Sequence, residues 1–451
     1  MMDTLRVGRD NPRPMKKRPV FMLLAVAATL GSLASCRCSG EQSGTGAPAG
    51  SSGTQGTSAG EPTLAARPFK LANGLQVELV EGPCGESAAL AVLVQVGIDH
   101  DPAGRSGMAR LAGRILATSA ASGRAARSVE TGSDFTLYSV TVAGDHLAEE
   151  LGDVAAWMSQ AGPTEADLTR ERARLLEELG KLAGNDAAAT AVSLAEEAVV
   201  PTRGNGKRQG IVAEVEAITL AELQAFWQAH FKPGNARVTV AGRFDGAKTR
   251  AHVEAAFGAV PAGTPPVARE PGDTTVKGTL VMGEKPSAVA VAVPAPAMSD
   301  PLFAPFLVLA ARLTEKPAQA RTWEASYDPL RRRDVLLITG PVGQAEQAEP
   351  AAGRIRAEVA AIVERAPAPD DLTRVRETFQ LFLEPELLDP AICAKDPRAF
   401  AGARALRGML AFDVAPMEKA LDATTKEELE QAARYFEAKR TAAVIAGGAI
   451  R

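Results

Sequence analysis

Residues 106–114 read Ser106-Gly107-Met108-Ala109-Arg110-Leu111-Ala112-Gly113-Arg114, and the interpretation of the whole chain depends on this stretch. It follows an apolar run at 88–96 and a turn at 97–104 that contains Gly, Asp and Pro. An apolar run, a turn and an Ala/Leu-rich segment predict a strand followed by a helix that begins near Ser106. Arg110 and Arg114 are four residues apart, so the two side chains share one face of that helix.

Three other segments appear in a fixed order around this helix. The chain reads L-A-N-G-L-Q-V at 71–77, E-R-A-R-L-L-E-E-L at 171–179 and F-K-P-G-N-A-R-V-T-V-A-G at 231–242. Together with 106–114, these segments resemble the insulinase/pitrilysin metallopeptidases, the family of mitochondrial processing peptidase. The likeness extends over most of residues 64–451. In that family a Gly-hydrophobic-Ala triplet leads into the motif H-x-x-E-H.

The resemblance implies that the chemistry of the helix is missing here. In the family, two histidines of H-x-x-E-H bind zinc and the glutamate is the general base. The matching positions are Arg110, Gly113 and Arg114. A guanidinium has no lone pair for a metal, and glycine cannot accept a proton. By the same match, Glu178 occupies the third ligand position and Glu171 the accessory carboxylate position. We therefore expect no catalytic residue and no bound metal.

Two alternatives for the former zinc cavity stay open at this point. Arg110 and Arg114 can pair with Glu171 and Glu178, so that fixed guanidinium charge replaces the dication, or both arginines can be exposed over a collapsed cavity. The chain is also shortened at 117–128, where the family has a Gly-rich turn and an edge strand that pairs with substrate. We therefore expect part of the substrate-binding edge to be altered.

No other residue set predicts a zinc site. The chain has four histidines, and no two are spaced i, i+4; they are His100, His146, His230 and His252. His146 with Glu149 and Glu150 is typical of a solvated helix start with an acidic first turn. We expect no cofactor, and zinc only if the chain is an active peptidase with an unrecognised site.

The fold class predicted is α+β, with two repeated domains arranged as a clamshell in a peptidase-like metallohydrolase fold. Each domain is expected to have an antiparallel sheet with helices packed on one face. The repeat is visible because D-L-T-R at 167–170 recurs at 371–374, and the segment 219–242 recurs at 425–447. The predicted domains are 64–260 and 273–451, joined by a Pro/Gly-rich linker at 261–272.

The amino terminus predicts export and lipidation. Residues 16–18 are basic, residues 20–33 are apolar, and Leu33-Ala34-Ser35-Cys36 resembles a bacterial lipoprotein signal. We expect a signal peptide at 1–36, lipidation of Cys36 and a Gly/Ser-rich tether at 37–63. The expected location is the cell envelope, with the protein anchored to the outer membrane and facing the periplasm.

Three features are left without a firm role. Cys84 and Cys393 can form a disulfide, but nothing in the sequence requires it. Arg321 and Tyr327 lie near the place of the family's substrate-gripping Arg/Tyr element, with a spacing that does not match it securely. The run Arg331-Arg332-Arg333 is interpreted as a solvated surface turn that leads into a strand.

These observations favour a non-catalytic envelope lipoprotein that serves an active insulinase-family peptidase as a partner subunit or peptide-binding chamber. Two alternatives are an active zinc-dependent endopeptidase and a stand-alone peptide- or protein-binding module. The expected partners are an active subunit, peptides and the membrane. A net charge of −4 and a pI near 5.8 give no sign of nucleic-acid binding.

Overall fold

A computed structural model describes residues 64–447, apart from 120–126, 160–161, 185, 201–209, 265–278, 283–286, 316–320, 343–347, 366–367, 384–388 and 411–414. The predicted signal peptide, Cys36, the tether and most of the linker therefore lie outside the described residues. Within the described part, no helix combines the length and the apolar character needed to cross a membrane.

The first half of the chain forms a six-stranded sheet in the order β1-β2-β6-β3-β5-β4. Its strands are β1 (Ala65–Lys70), β2 (Gln76–Glu81), β3 (Ala88–Val94), β4 (Arg127–Thr131), β5 (Thr136–Val142) and β6 (Ala236–Gly242). Neighbouring strands are antiparallel except β2 and β6, which pair in parallel. The sheet is therefore mixed, with its parallel pair formed by the two sequence ends of the half.

The second half repeats this plan in a five-stranded sheet with the order β7-β11-β8-β10-β9. Its strands are β7 (Thr279–Met282), β8 (Ala288–Pro294), β9 (Glu324–Ser326), β10 (Val335–Pro341) and β11 (Ala442–Ala446). Again only the first and last strands along the chain, β7 and β11, pair in parallel. The order matches β2-β6-β3-β5-β4 of the first sheet, and residues 265–278, which precede β7, lie outside the described part of the chain.

Fourteen helices are found in the described residues. The first half contains α1 (Met108–Ser119), α2 (Leu147–Ser159), α3 (Glu165–Gly184), α4 (Ala187–Val199), α5 (Val212–Ala217), α6 (Leu220–His230) and α7 (Gly246–Phe257). The second contains α8 (Phe303–Thr314), α9 (Ala348–Val363), α10 (Asp371–Leu383), α11 (Pro390–Lys395), α12 (Pro397–Met409), α13 (Ala415–Asp422) and α14 (Lys426–Ala433).

The repeat extends to the way in which helices begin. The Thr219 side chain accepts from the Glu222 amide at the start of α6, and the Glu222 carboxylate accepts from the Thr219 amide, which completes a capping box. Thr425 and Glu428 form the same box at α14, and 425 − 219 = 206 residues separate the two. Such a box satisfies amides that a helix start leaves unpaired, so both repeats fix the same helix in the same way.

Each sheet uses its two faces differently. On β3, Leu90, Val92 and Val94 pack into a core with the helices of the first half, among them α1, α2 and α6. The alternate residues Ala89 and Ala91 face the opposite side, where α12 of the second half lies on the sheet. Period-two alternation thus assigns neighbouring residues of the strand to two different cores, and both cores are apolar.

The second sheet is covered in the reciprocal way. Its residues Ala290 and Ala292 pack against Ala191 and Ala195 of α4, a helix of the first half. The predicted α+β class, with two repeated sheet-and-helix halves, is confirmed. The sequence did not predict that each half contributes a helix to the sheet of the other half. Sequence periodicity shows which face of a sheet is apolar but not which helix covers it.

A disulfide joins the two halves. Cys84 follows β2 and Cys393 lies in α11, and the two form a bond across 309 residues with Cα atoms 5.0 Å apart. Neither cysteine is exposed to solvent. A native disulfide stabilises a domain by about 2–5 kcal/mol. The sequence left this pairing open, and the structure contains it.

Candidate functional site

Helix α1 is held at its start by a buried carboxylate. Asp101 accepts hydrogen bonds from the amides of Gly107 and Ala109 at 2.6 and 2.7 Å. Burial raises the pKa of Asp101 to about 7, although these two amides and nearby Arg110 lower it. Gly107 adopts φ +90°, and a Cβ there would come within 2.9 Å of Val215. These constraints fix the register of the helix that carries the candidate site.

The two arginines of α1 bind one carboxylate of α3. Arg110 Nη2 lies 2.7 Å from Glu178 Oε1, and Arg114 Nη1 lies 2.5 Å from Glu178 Oε2. Each oxygen of Glu178 therefore accepts from a different guanidinium. Burial lowers the pKa of Arg110, and Glu178 opposes that effect. Of the two alternatives for the former cavity, the structure contains the Arg–Glu pairs.

The accessory carboxylate is engaged as well. Glu171 is almost fully buried and accepts from Arg170 Nε at 3.0 Å and from Arg174 Nη1 at 2.8 Å. Arg114 Nε approaches its other oxygen to 3.8 Å. The structure thus brings together the four charged residues predicted from the sequence, the two arginines of α1 and the two glutamates of α3. Both carboxylates contact guanidinium groups, which have no lone pair for a metal.

Gly113, at the general-base position, faces a closed space. A Cβ at Gly113 would lie 3.0 Å from Thr131 Oγ1, 3.1 Å from Thr136 Cγ2 and 3.2 Å from Val129 Cγ2. These neighbours belong to β4 and β5. The helix therefore packs closely against the sheet at this residue, and a larger side chain requires the neighbouring side chains to shift by a few tenths of an ångström.

The expectation of an altered substrate edge needs a correction. Strand β4 forms the edge of the first sheet and pairs with β5 from Arg127↔Val140 to Thr131↔Thr136. The edge strand is present, and it begins within the segment interpreted as lacking it. The segment predicted to be shortened, 117–128, includes Arg127 and Ser128, which belong to β4. A five-residue strand shows too little alternation to be recognised in the sequence.

A buried ion pair anchors the beginning of this edge strand. Arg127 donates to Glu150 Oε2 from Nη2 at 2.9 Å and to Tyr138 Oη from Nε at 2.9 Å. Burial opposes the charge on Arg127, yet Glu150 and Tyr138 hold its pKa above the ordinary value. Glu150 was predicted in a solvated first turn, but it is buried. Glu149, beside it, is the exposed partner of His146.

The described residues contain no group of three or more His, Cys, Asp or Glu arranged to hold a metal ion. The rings of His100 and His230 lie close together, with their centroids 5.8 Å apart. Two imidazoles alone fall short of the three protein ligands of a catalytic zinc site. The expectation that the protein binds no zinc stays a prediction.

The Arg/Tyr element of the second half has structural roles. Tyr327 is buried against Phe306 and Phe379, and its hydroxyl donates to the Arg333 carbonyl at 3.0 Å. Arg321 donates to the Leu313 carbonyl at 2.9 Å and lies over the ring of Trp323.

The prediction that the run Arg331-Arg332-Arg333 is a solvated surface turn is wrong. All three side chains form ion pairs with the first half of the chain. Sequence reasoning missed this because the carboxylate partners are about 135 to 200 residues away along the chain.

Comparisons with known proteins bear on this site. Residues 217–328 match the family model described as the peptidase M16 inactive domain. No curated protein matches the sequence. The match begins at the end of α5 and runs through β6 and the linker to β9, so it spans both halves.

Solved structures share the fold at low sequence identity. A protease from Helicobacter pylori has a TM-score of 0.68 and 17% identity over 85% of this chain and 99% of that chain. A chain of complex III2 from Candida albicans has a TM-score of 0.64 and 13% identity over 85% and 96%. The periplasmic protease PqqL from Escherichia coli has a TM-score of 0.60 and 17% identity over 84% of this chain and 47% of that chain.

The solved structures share the M16 peptidase-like fold with this chain, and the family-model match covers residues 217–328. The predicted resemblance to the insulinase/pitrilysin (M16) family is confirmed for this fold and for the matched residues.

Proposed function

We propose that this chain is a non-catalytic, lipid-anchored subunit of the bacterial cell envelope that partners an active insulinase-family peptidase. The observation that carries the proposal is the state of the former zinc helix. Glu178 is bound by Arg110 and Arg114, and the space at Gly113 is filled by side chains of β4 and β5.

Zinc-dependent hydrolysis needs metal ligands and a general base that this arrangement does not provide. A catalytic zinc needs three protein ligands and an open position for water, and a general base must reach that water. Glu178 alone remains of the ligands, and its two oxygens are occupied by guanidinium groups. The arginines supply the positive charge that zinc would supply, so the carboxylates stay balanced without metal.

The chain lengths of the similar proteins support a partner of similar fold. This chain covers 99% of the Helicobacter pylori protease but only 47% of PqqL. The match therefore leaves about half of PqqL unaligned, and we propose that a separate subunit of similar fold supplies the corresponding portion for this chain. The match to a chain of complex III2, a multi-subunit assembly, also supports a subunit role.

Two independent features support the envelope location. The segment Leu33-Ala34-Ser35-Cys36 has the pattern of a lipoprotein signal, with Cys36 as the lipidated residue. The disulfide between Cys84 and Cys393 is of the kind that persists in oxidising compartments. We propose anchoring to the outer membrane on its periplasmic side.

A second candidate is a stand-alone peptide-binding module, and strand β4 favours it. An edge strand can bind an extended peptide through main-chain hydrogen bonds, and among the strands that the structure describes β4 pairs with β5 alone. This function needs no metal, so the state of α1 is equally compatible with it.

Affinity purification from membranes separates the candidates. The tagged full-length protein, extracted in mild detergent, is analysed for co-purifying proteins that contain an intact H-x-x-E-H. A stoichiometric peptidase partner supports the subunit role, whereas peptide capture by the isolated protein without such a partner favours the module. Cys36→Ser is the matched variant for anchoring and should move the protein from washed membranes to the soluble envelope fraction.

A further inference from the structure

The two halves of the described chain hold one another through exchanged helices. Helix α12 of the second half lies on β3 and β6, and helix α4 of the first half lies on β8, β10 and β11. The contact faces are apolar and include both small residues such as Ala89 and Ala290 and larger ones such as Leu93, all buried. Separating the halves would expose both faces to water at about 25 cal/mol per Å² of apolar surface.

A first set of polar attachments lies at the β2 side of the first sheet. Arg404 of α12 binds Glu78 of β2 through two hydrogen bonds, Nη2–Oε1 at 2.6 Å and Nε–Oε2 at 3.1 Å. The two side chains are 11% and 9% exposed, so the pair is mostly desolvated. The disulfide from Cys84 to Cys393 lies on the same side, just beyond the end of β2.

A second set lies at the opposite edge of that sheet. We call residues 328–334 the arginine turn. Arg331 Nε lies 3.0 Å from Glu130 Oε2 on the edge strand β4, and Arg333 pairs with Asp134 in the turn after it. Arg332 Nη1 lies 3.4 Å from Glu196 Oε1 of α4. Although burial opposes it, Asp328 and Glu130 hold the pKa of Arg331 above its ordinary value.

The position of the two sets excludes an ordinary hinge. In the strand order, β2 and β4 are four strand spacings apart, which is about 19 Å. A hinge moves two bodies about one line and leaves the far side free to separate. Here both sides are attached, and α12 fills the space between them.

We infer that the arginine turn, the disulfide and the exchanged helices lock the two halves into one permanently closed unit. This inference rests on the proposed function in one respect. If the chain is a subunit of a peptidase complex, a substrate enters between this chain and its partner, because the halves of this chain do not open.

Cutting the connection between the halves tests the inference. A protease site inserted after Thr264, at the exposed end of the described part of the first half, allows the folded full-length protein to be nicked. We expect the oxidised nicked protein to migrate as one band on a non-reducing denaturing gel. Two bands would show that the disulfide does not join the halves, and would overturn that part of the lock.

Reduction under native conditions tests the remaining contacts. The nicked, reduced protein should elute at the volume of the uncut protein and should exchange its halves with labelled copies only slowly. Separation of the halves would show that only covalent links hold them, and would overturn the inference. Zinc content and partner capture are measured separately, so failure of the proposed function gives a different result.

A pair of double variants isolates the arginine turn. In the nicked, reduced protein, Arg331→Ala with Arg333→Ala should exchange halves at least ten-fold faster than the parent. The control is Arg243→Ala with Arg250→Ala, which removes exposed ion pairs within the first half. Equal exchange rates for the two double variants would overturn the role of the arginine turn.

Discussion

The two halves carry an arginine–carboxylate contact between corresponding helices, but they bury it to different degrees. In the second half, Arg312 of α8 binds Asp371 of α10, and both side chains are 6% exposed. In the first half, Arg110 and Arg114 of α1 bind Glu178 of α3, which is 39% exposed. The half that carries the degenerate zinc motif thus contains the same kind of contact as the half that matches no zinc motif.

This difference indicates what each contact does. Burial alone would raise the pKa of Asp371, yet hydrogen bonds from Arg312 and from the Ala368 amide hold it below the usual range. A buried ion pair leaves an uncompensated charge when one partner is removed, whereas an exposed carboxylate is hydrated again by water. We therefore expect the contact of the second half to be the more costly one to break.

Removal of Arg312 should have the largest effect. Arg312→Ala leaves the buried Asp371 without its main cation, and the free energy of unfolding should fall by about 3–5 kcal/mol. Denaturant unfolding of the purified soluble domain measures it. The control is Arg376→Ala, whose ion pair with Asp422 is largely exposed and should be worth at most about 1 kcal/mol. Equal losses would contradict the ranking.

The carboxylate that caps α1 should make stability depend on pH. The folded-state pKa of Asp101 is about 7 against an ordinary value of 3.8, so the folded protein binds this proton more tightly than the unfolded chain does. Its contribution is fully present below about pH 4 and is lost as pH rises toward 7, with a slope of up to about 1.4 kcal/mol per pH unit.

Unfolding at several pH values in wild type and Asp101→Asn isolates this contribution. The variant should be less stable overall, since an amide cannot accept from both backbone donors, but its stability should fall less between pH 4 and 7. Asp145→Asn, at an exposed turn before α2, should keep the wild-type slope. A variant slope at Asp101 equal to that of wild type would refute the raised pKa.

Two glycines provide a matched test of the closed base position. Gly113→Ala places a methyl group against Thr131, Thr136 and Val129 and should destabilise the protein by about 1–3 kcal/mol. Gly180→Ala in the exposed part of α3 meets no atom within 4 Å and should stabilise it by about 0.5–1 kcal/mol. Opposite signs are expected, and stabilisation at both positions would show that the space beside Gly113 is open.

The smallest effect is expected from the first-half contact itself. Arg110→Ala with Arg114→Ala should cost about 1 kcal/mol in unfolding free energy, because Glu178 is partly exposed and regains water. The comparison is with Arg67→Ala, which removes a surface ion pair to Glu81. A loss as large as that of Arg312→Ala would mean that the two contacts are equivalent.

The sequence predicted the parts of this site that depend on local spacing. Arg110 and Arg114 share a helix face because they are four residues apart. Glu171 and Glu178 are seven residues apart and share a face of α3, and the family resemblance placed that face opposite the arginines. The repeat was visible for the same reason, since D-L-T-R recurs at 371.

What the sequence could not predict depends on contacts between distant residues. The disulfide spans 309 residues, and the arginine turn binds carboxylates of the other half. Glu150 is buried only because Arg127 and Tyr138 reach it through the sheet. Helix α12 is Ala-rich, and only the assembled fold determines that it covers the opposite half.

The zinc content of the mature protein tests the central claim most directly. The protein, purified without chelator, is analysed for bound metal and for cleavage of an unfolded peptide with and without a chelator. We predict no stoichiometric zinc and no chelator-sensitive cleavage, because Arg110, Arg114 and Gly113 replace the ligands and the base. About one zinc per chain, together with chelator-sensitive proteolysis, would contradict the account.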